Sequence, residues 1–582
     1  MPNFLPQVFQ YQSHNNTWLY FKNTIEIIST QIPSEVIPCL NKIENFAFQG
    51  FHVAGFLSYE TAGVFEPRIP VFQSDGTPLI WFGVFRETET IKQSPPIDFL
   101  LPDLQWVPSI SEETYNNHIE KIRHYIKQGE TYQVNYTFAL QTEIPRSLNL
   151  FDLFRYVTFF HPTPYSMFLE TESQIICSFS PELFFYLQGD SIECRPMKGT
   201  AHRGKTTSED QTQANELYNS EKNRSENIMI VDMIRNDLGK IAKIGTVSAP
   251  KLFEIERYNS LFQMTSTVRA KTSSSLNTIF SALFPCASIT GAPKIRTTAI
   301  IHELENRPRG IYCGAMGSIR PGREALFNVA IRTLVIDKKN RNATYNIGSG
   351  IIWDSEARDE FQECLLKSHF LSEQIAPFDL LESLLYCPKT GYYLLDEHLT
   401  RYQDSANYFG FTTSYEEVKA YLQGIFSEMP SSPVKIRCVI SRQRHISHTI
   451  SPIRIEHQQL TFPFAKESVD PNNRFLYHKT THRLIYQKAL ASQPGYTDVL
   501  LWNKNGEITE TTCGNIVAQI QGKFLTPPVS CGLLPGTLRA HLLESGKISE
   551  SPILISDLSK CDHIWRINSV RGWQRINVDA HN

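Results

Sequence analysis

One stretch constrains this chain more than any other: Ser372-Glu373-Gln374-Ile375-Ala376-Pro377, where a helix-like run from about Ala357 to Leu371 stops and a proline follows. The break divides the sequence into a larger and a smaller half, and it is too short to behave as a long flexible tether. Length agrees with several compact cores, because 582 residues correspond to roughly four units of about 150 residues each. Hydrophobic residues make up 41% and charged residues 20%, with 36 Phe, 24 Tyr and 7 Trp, which is too much buriable surface for a disordered chain. No period of about 20–50 residues recurs, so solenoid architectures drop out.

Charge and cysteine usage exclude further classes. Lys plus Arg is 56 against 59 for Asp plus Glu, a net charge of −3, so nothing electrostatic points to nucleic acid. The 11 cysteines are odd in number and contain no Cys-x-x-Cys pair, which argues against a disulfide framework and against a zinc site. The opening Met1-Pro2-Asn3-Phe4-Leu5-Pro6-Gln7 lacks a basic signal region, and no run approaches the roughly 18 apolar residues of a membrane span. A cytoplasmic protein without membrane contact is expected.

Both halves read as α+β. Upstream, Ser191–Arg195 and Ala325–Ile331 alternate like strands, while stretches around Glu113 to Gln128 and Glu226 to Ile241 carry helical spacing. Downstream, Leu500 to Glu510 places Asn505-Gly506 between two strand-like arms, a strong hairpin signal. The expected divisions are 1–107, 108–372 and 377–582.

Three features of the larger half carry chemistry. Glu226 precedes Ile230, Ile234 and Leu238 on one helical stripe, and a carboxylate on a buried stripe needs a cation or a proton. It also reads as a first-turn glutamate favoured by the helix dipole. Glu360 and Glu363 stand at i and i+3, on nearly one side of a helix. With Glu226 they offer oxygen ligands suited to Mg²⁺; alternatively they lie on a solvated face where Glu363 pairs with Lys367. Lys198 follows Ile192, Cys194 and Pro196 on the apolar side of a strand, if the strand runs on through Pro196. An amine removed from water becomes a neutral nucleophile, unless its ammonium snorkels outward.

In order along the chain stand Ser180-Pro181-Glu182, the Lys198-Gly199-Thr200 segment, Ser288-Ile289-Thr290-Gly291-Ala292-Pro293-Lys294, Arg309-Gly310-Ile311-Tyr312-Cys313-Gly314 and Gly348-Ser349-Gly350-Ile351. Together they resemble the chorismate-utilising enzymes, densely from Pro108 to Leu371 and loosely before it, through Gly55 to Glu60. The resemblance implies a two-sheet α+β chorismate-binding domain. It also implies Mg²⁺ at Glu226, Glu360 and Glu363, and chorismate held by Arg332, Tyr312, Thr290, Gly291 and Gly348. Lys198 is similar to the residue of the aminodeoxychorismate synthase branch, where a lysine attacks the ring as hydroxide leaves and ammonia then displaces the lysine; Glu182 would be the general acid. Gln133 falls where water-using relatives have a lysine base, which favours an ammonia user. Asn223 stands where many relatives place an acid. Ser58, Tyr59 and Glu60 resemble the family's tryptophan-pocket region and read equally as core packing.

In the smaller half Lys479, Glu510, Arg401 and Gly536-Thr537 supply a lysine, a carboxylate, a cation and N–H donors, the groups a pyridoxal phosphate site needs. Their order, with Asp396 to Arg401 near the start and Asn568 to Gly572 near the end, resembles the fold-type IV pyridoxal phosphate enzymes, with two α+β subdomains. That family contains aminodeoxychorismate lyase and the branched-chain and D-amino acid aminotransferases. The two halves together imply conversion of chorismate and ammonia to 4-aminobenzoate and pyruvate, for folate synthesis. A separate glutamine amidotransferase subunit would supply ammonia, and a homodimer through the C-terminal half is the family expectation. The rival readings are an anthranilate synthase-like first half, an aminotransferase-like second half, and a second half that is a non-catalytic docking module.

Overall fold

The computed structural model describes residues 4–13, 15–92, 99, 101–259, 261–371, 377–453 and 460–579. The expected linker residues 372–376 lie outside them. The chain forms two compact units, one of Met1–His202 with Ala214–Ile375 and one of Arg203–Gln213 with Ala376–Asn582.

In the larger unit eighteen strands between Val8 and Ile351 are joined by ladder pairing, so the sheets expected from the resemblance are continuous with one another. Strand His52–Leu57 pairs with Ile80–Lys92 on one side and with Ala315–Arg320 on the other. The residues before 108 thus share their sheet with those after it. Ser191–Arg195 and Glu324–Val329 are strands, and Glu112–Lys127 is a helix. The helix through Glu226 spans Glu221–Gly239, longer than its periodicity predicts, because Ser220 caps it by accepting a hydrogen bond from the Asn223 amide. Helix Ala357–Leu366 gives way to a 3-10 turn at His369–Leu371. The core is rich in phenylalanine: Phe280 and Phe327 pack edge-on at 5.1 Å, and Phe185 lies 5.3 Å from Phe327. Each such ring contributes about 1.5–3 kcal/mol through burial.

A buried ion pair ties this core to the motif loops. Arg309 and Glu305 have side chains only 1% exposed and lie 2.6 Å apart. Arg309 also donates to the carbonyls of Ile289 at 3.0 Å and Asn135 at 2.8 Å. Glu305 accepts from both the amide and the hydroxyl of Thr137 at 2.9 Å. The loop after Cys286 and the strand Gln133–Glu143 are thereby fixed to one helix end.

The smaller unit has two layers of sheet. A four-stranded sheet is built on Leu380–Cys387 and Val434–Ile440 and packs against helices Leu395–Phe409 and Tyr415–Gly424. An eight-stranded sheet carries helix Thr537–Glu544 on one side. The Asn505-Gly506 hairpin forms between Leu500–Trp502 and Ile508–Thr511. Its turn is wider than two residues: the Asn503 amide reaches the Glu507 carbonyl at 3.0 Å, with Gly506 at φ +73°. The segment Arg203–Gln213 is built into this unit. Arg203 pairs with Asp210 at 2.6 Å and lies over the Tyr408 ring at 4.5 Å, while His478 meets the Lys205 carbonyl at 3.2 Å. Among the described residues no helix is long and apolar enough to cross a membrane.

Removing one partner of a fully buried, hydrogen-bonded pair strands the other charge. Arg309→Met is expected to destabilise the larger unit by about 3–5 kcal/mol, read as the loss in denaturant midpoint of the full chain's transitions. Arg309→Lys is expected to recover little, because an ammonium cannot reach the carboxylate and both carbonyls in one plane. A midpoint unchanged by Arg309→Met would refute the role.

Candidate active sites

In the larger unit a cavity of about 530 Å³ is lined by Lys198, Glu182, Glu226, Arg332, Tyr312 and Glu360 among others. Lys198 does not arrive there by simple strand alternation. The strand breaks at Pro196 and resumes as Met197–His202, and both Pro196 and Met197 are buried. The pairing with Leu261–Lys271 then slips between Met197 and Thr200, a bulge that re-aims the side chain. Gly199 sits at φ +95°, where a side chain would be strained. Asn227 and Gln263 hold the freed carbonyls of Lys198 and Gly199, at 3.4 Å and 2.9 Å.

The amine of Lys198 lies over Gly350. A Cβ added there would stand 2.8 Å from Lys198 Nζ, 2.3 Å from Gln133 Nε2 and 3.0 Å from Asn135 Oδ1. Gln133 is fully buried, and neither end of its amide has a partner among the described residues. Burial lowers the pKa of Lys198, opposed chiefly by the charge of Glu226. Glu182, 2% exposed, accepts from Ser288 Oγ at 2.5 Å. Burial raises its pKa to about 7 against the pull of Ser288 and Lys198. The cavity therefore combines an amine driven toward neutrality with a carboxyl driven toward its acid form. No carboxylate pairs with Arg332 among the described residues, and the residue lines this cavity and a smaller one.

Thr290 and Gly291 do not line the cavity. The Thr290 hydroxyl turns to the carbonyls of Cys286 and Ala287, and Gly291 pairs with Val134 so closely that a Cβ would meet the Gln133 carbonyl at 2.0 Å. Gly348 does line it, and its carbonyl accepts from Lys367 at 3.0 Å. The three acids expected to bind metal share the cavity wall, and their chemistry suits a hard cation. They are not gathered around one point. Glu360 accepts from Ser349 and, at 2.8 Å, from Ser355; Glu363 pairs with Lys367 at 2.9 Å. No three acidic, histidine or cysteine side chains converge as a metal cluster among the described residues. Asn223 bonds Ser220 at 2.9 Å beside Gly199. Ser58, Tyr59 and Glu60 are buried, and the Glu60 carboxylate is taken by the amides of Arg309 and Gly310.

In the smaller unit a cavity of about 260 Å³ is lined by Lys479, Glu510, Arg401, Gly536 and Thr537, so the expected residues meet. Burial, with Arg401 nearby, lowers the Lys479 pKa to about 8. Glu510, at the end of the hairpin, is raised to about 7 by burial and accepts from Tyr486 Oη at 2.8 Å and the Leu534 amide at 3.2 Å. Gly536 caps helix Thr537–Glu544, and a Cβ there would strike Asn515 Oδ1 at 2.0 Å. The donor set fits pyridoxal phosphate: an amine, a buried carboxyl and a helix start beside a guanidinium.

One organising residue escaped the sequence reading. Glu382 accepts two hydrogen bonds from Arg401, at 3.0 and 2.6 Å, and lies 2.7 Å from His398 Nδ1. Burial would raise its pKa, but Arg401 and His398 hold it down at about 2. His398 Nε2 in turn meets Ser569 at 2.9 Å and Thr537 at 3.3 Å. Its signal was a carboxylate on the buried parity of Leu380–Cys387, opposite a His and an Arg three residues apart.

Residues 7–373 match the chorismate binding enzyme family, and the chain belongs to that family. Residues 380–578 match the class IV amino-transferases. Aminodeoxychorismate synthase component 1 of Bacillus subtilis is 33% identical over 362 residues, 55% of this chain and 76% of the relative. An anthranilate synthase component 1 of Haloarcula marismortui is 34% identical over 281 residues, 48% of this chain and 56% of the relative. The solved anthranilate synthase component I from Streptococcus pneumoniae superposes with a TM-score of 0.52 at 23% identity, over 64% of this chain and 91% of that one, a likeness of fold.

Because a methyl group at position 350 would occupy the space of Lys198 Nζ and the Gln133 amide, Gly350→Ala is expected to slow any reaction at Lys198 by about 100-fold or more while thermal unfolding stays near wild type. A full rate in this variant would show that Lys198 reacts elsewhere.

Proposed function

We propose that this chain makes 4-aminobenzoate in two steps, amination of chorismate in the larger unit and elimination of pyruvate in the smaller. The observation that carries the reading is the first cavity: a lysine amine driven toward neutrality, a carboxyl at about 7 and an unpaired guanidinium share it. Arg332 grips one carboxylate of the dianionic substrate. Lys198 Nζ forms a bond to the ring as the C4–oxygen bond breaks, and Glu182 gives its proton so that water leaves. Ammonia nitrogen then bonds the ring at C4 while the Lys198 nitrogen departs with its electron pair. Mg²⁺, held by Glu226, Glu360 and Glu363, would neutralise the other carboxylate; Lys367 must release Glu363 for this to happen. The lysine at 198 favours amination at C4 over anthranilate formation.

The smaller unit is read as an aminodeoxychorismate lyase because the larger one makes that substrate. Pyridoxal phosphate supplies an electron sink there. Arg401, with the Gly536-Thr537 helix start, would hold its phosphate, Glu510 would partner its ring nitrogen and Lys479 would hold it covalently; the Lys479 amine is the base for the substrate ring proton whose loss accompanies pyruvate departure. A separate glutamine amidotransferase would supply ammonia, free ammonium would replace it, and a cytoplasmic homodimer through the C-terminal unit completes the proposal.

Purified chain with chorismate, Mg²⁺, ammonium and pyridoxal phosphate is expected to yield 4-aminobenzoate and pyruvate; anthranilate as the product would overturn the reading. Lys198→Ala should abolish amination yet leave added 4-amino-4-deoxychorismate cleavable, and Lys479→Ala should do the reverse. Glu182 must be protonated to act, and its pKa is about 7, so amination should decline as pH rises above about 7. Glu182→Gln should remove that limb and slow the step by about 100- to 10,000-fold; a limb that persists in this variant assigns the acid elsewhere.

A further inference from the structure

Among the described residues, the side chain that hydrogen-bonds Glu182 is Ser288, through Oγ to Oε1 at 2.5 Å. The turn that presents Ser288 is held by its neighbours. Thr290 Oγ1 donates to the carbonyls of Cys286 and Ala287, which closes the 3-10 turn Ala287–Ile289. Asn135 Nδ2 donates to the Ser288 carbonyl at 2.7 Å, and Arg309 to that of Ile289 at 3.0 Å. The main chain of Glu182 is equally fixed. Its amide donates to Ser180 Oγ at 3.2 Å, and its carbonyl accepts from the Val329 amide at 3.1 Å. Hydroxyl and carboxyl thus meet from two anchored segments of backbone, both buried.

A hydroxyl has one proton to give, and Ser288 has two candidates to receive it. Its Oγ stands between Glu182 Oε1 and Cys286 Sγ, the second at 3.1 Å. Sulfur is a weak acceptor and a carboxyl oxygen a strong one. Burial also pushes the Cys286 pKa up to about 12, so the residue stays a thiol with a proton of its own. The donors therefore run in one direction, from Cys286 S–H to Ser288 Oγ and from Ser288 O–H to Glu182 Oε1.

We propose that Ser288 is a positioning residue that keeps Oε1 of Glu182 an acceptor and so confines the acid proton to Oε2. The inference rests on the amination reading above and deepens it. As the C4–oxygen bond breaks, the departing oxygen takes the Oε2 proton and leaves as water, while the electron pair of that O–H bond stays on the carboxylate. Ser288 already points at the oxygen that shares the new charge, and no reorientation is needed. Without its hydroxyl either oxygen could hold the proton, and one of the two arrangements would turn it toward the Cys286 loop. The titratable side chains that Glu182 faces are Lys198 and Cys286. Ser288, Lys198 and the Met197 amide all favour the charged carboxylate against burial.

The test uses the full chain as wild type, Ser288→Ala, Ser288→Thr and Glu182→Gln. Infrared difference spectra between acid and alkaline pH, taken without substrate, identify the protonated Glu182 carboxyl as the carbonyl band that Glu182→Gln loses. A hydrogen bond from Ser288 to the carbonyl oxygen weakens that stretch, so the band should move to higher frequency in Ser288→Ala and return in Ser288→Thr. A band that stays in place in Ser288→Ala would overturn the proposal, because the proton would then sit on Oε1. Amination of chorismate with Mg²⁺ and ammonium is followed in parallel. Ser288→Ala should lower kcat by about 10- to 100-fold, the size of one hydrogen bond to a charged group, with KM for chorismate within about threefold. The alkaline limb should move to higher pH, because a donor to the charged form has been lost, and Ser288→Thr should restore both rate and limb. A slower rate with the limb unmoved would make Ser288 merely structural and would also overturn the proposal. If wild type aminates chorismate and Ser288→Ala matches it in band, rate and limb, the proton placement fails and the amination reading stands. If wild type gives no aminated product while the band shifts as expected, the amination reading fails and the proton placement stands.

Discussion

The guanidinium of Arg309 is the constraint on which the larger site depends. It bridges Glu305 to the carbonyls of Ile289 and Asn135, so a helix end, the loop that presents Ser288 and the strand that presents Gln133 and Asn135 meet at one buried charge. Desolvating two ions is expensive, and an isolated contact would not repay it. Here every carboxylate oxygen and most guanidinium donors are used, with Thr137 adding two bonds to Glu305. The pair therefore specifies where the loops go more than it adds to stability. Ser288, which donates to Glu182, stands next to Ile289, whose carbonyl Arg309 holds.

Both cavities rest on one physical device. Burial penalises whichever form of a group is charged, so it lowers an amine and raises a carboxyl at the same time. Lys198 with Glu182 and Lys479 with Glu510 are shifted in these opposite directions. Direct pairing would have cancelled the effect by stabilising both charges. The fold prevents it by giving each carboxyl a neutral hydroxyl partner, Ser288 for Glu182 and Tyr486 for Glu510. The amine is thus left available to react and the acid keeps a proton near neutrality.

Much of this was legible in the chain, and the exceptions have physical causes. Lys198, Glu182 and Arg332 line one cavity and Lys479 and Glu510 the other, a grouping that the order of the motifs announces. How Lys198 reaches the cavity was not, since a slip in pairing and a positive φ at Gly199 override strand parity. Thr290 and Gly291 do not line the cavity while Ser288 and Ile289 of the same motif do, and sequence alone does not say which residues of a loop face inward. Glu382 was hidden because its partners lie on another element, sixteen and nineteen residues away. The embedding of Arg203–Gln213 in the smaller unit involves Tyr408 and His478, 204 and 273 residues from their partners, and no local pattern announces such a contact.

The two cavities meet the same electrostatic problem with different balances of charge. On the proposed reading each receives a dicarboxylate, since amination at C4 leaves both carboxylates of chorismate in place. The larger cavity is lined by Lys198, Lys222, Arg332 and Lys367 against Glu182, Glu226, Glu360 and Glu363, and on that reading a divalent cation would neutralise acids so that a second carboxylate can settle. The smaller cavity is lined by Arg401, Lys435, Arg437, Lys479, Arg483 and Arg571 against Glu510, so on the same reading side-chain cations can take that part. The difference follows from what each step does to charge. On that reading breaking the C4–oxygen bond builds negative charge on the departing oxygen, where a protonated Glu182 is useful, while a metal would neutralise a carboxylate. Loss of pyruvate keeps the electrons in the organic framework, and there fixed side-chain cations can hold the substrate throughout without entering the chemistry.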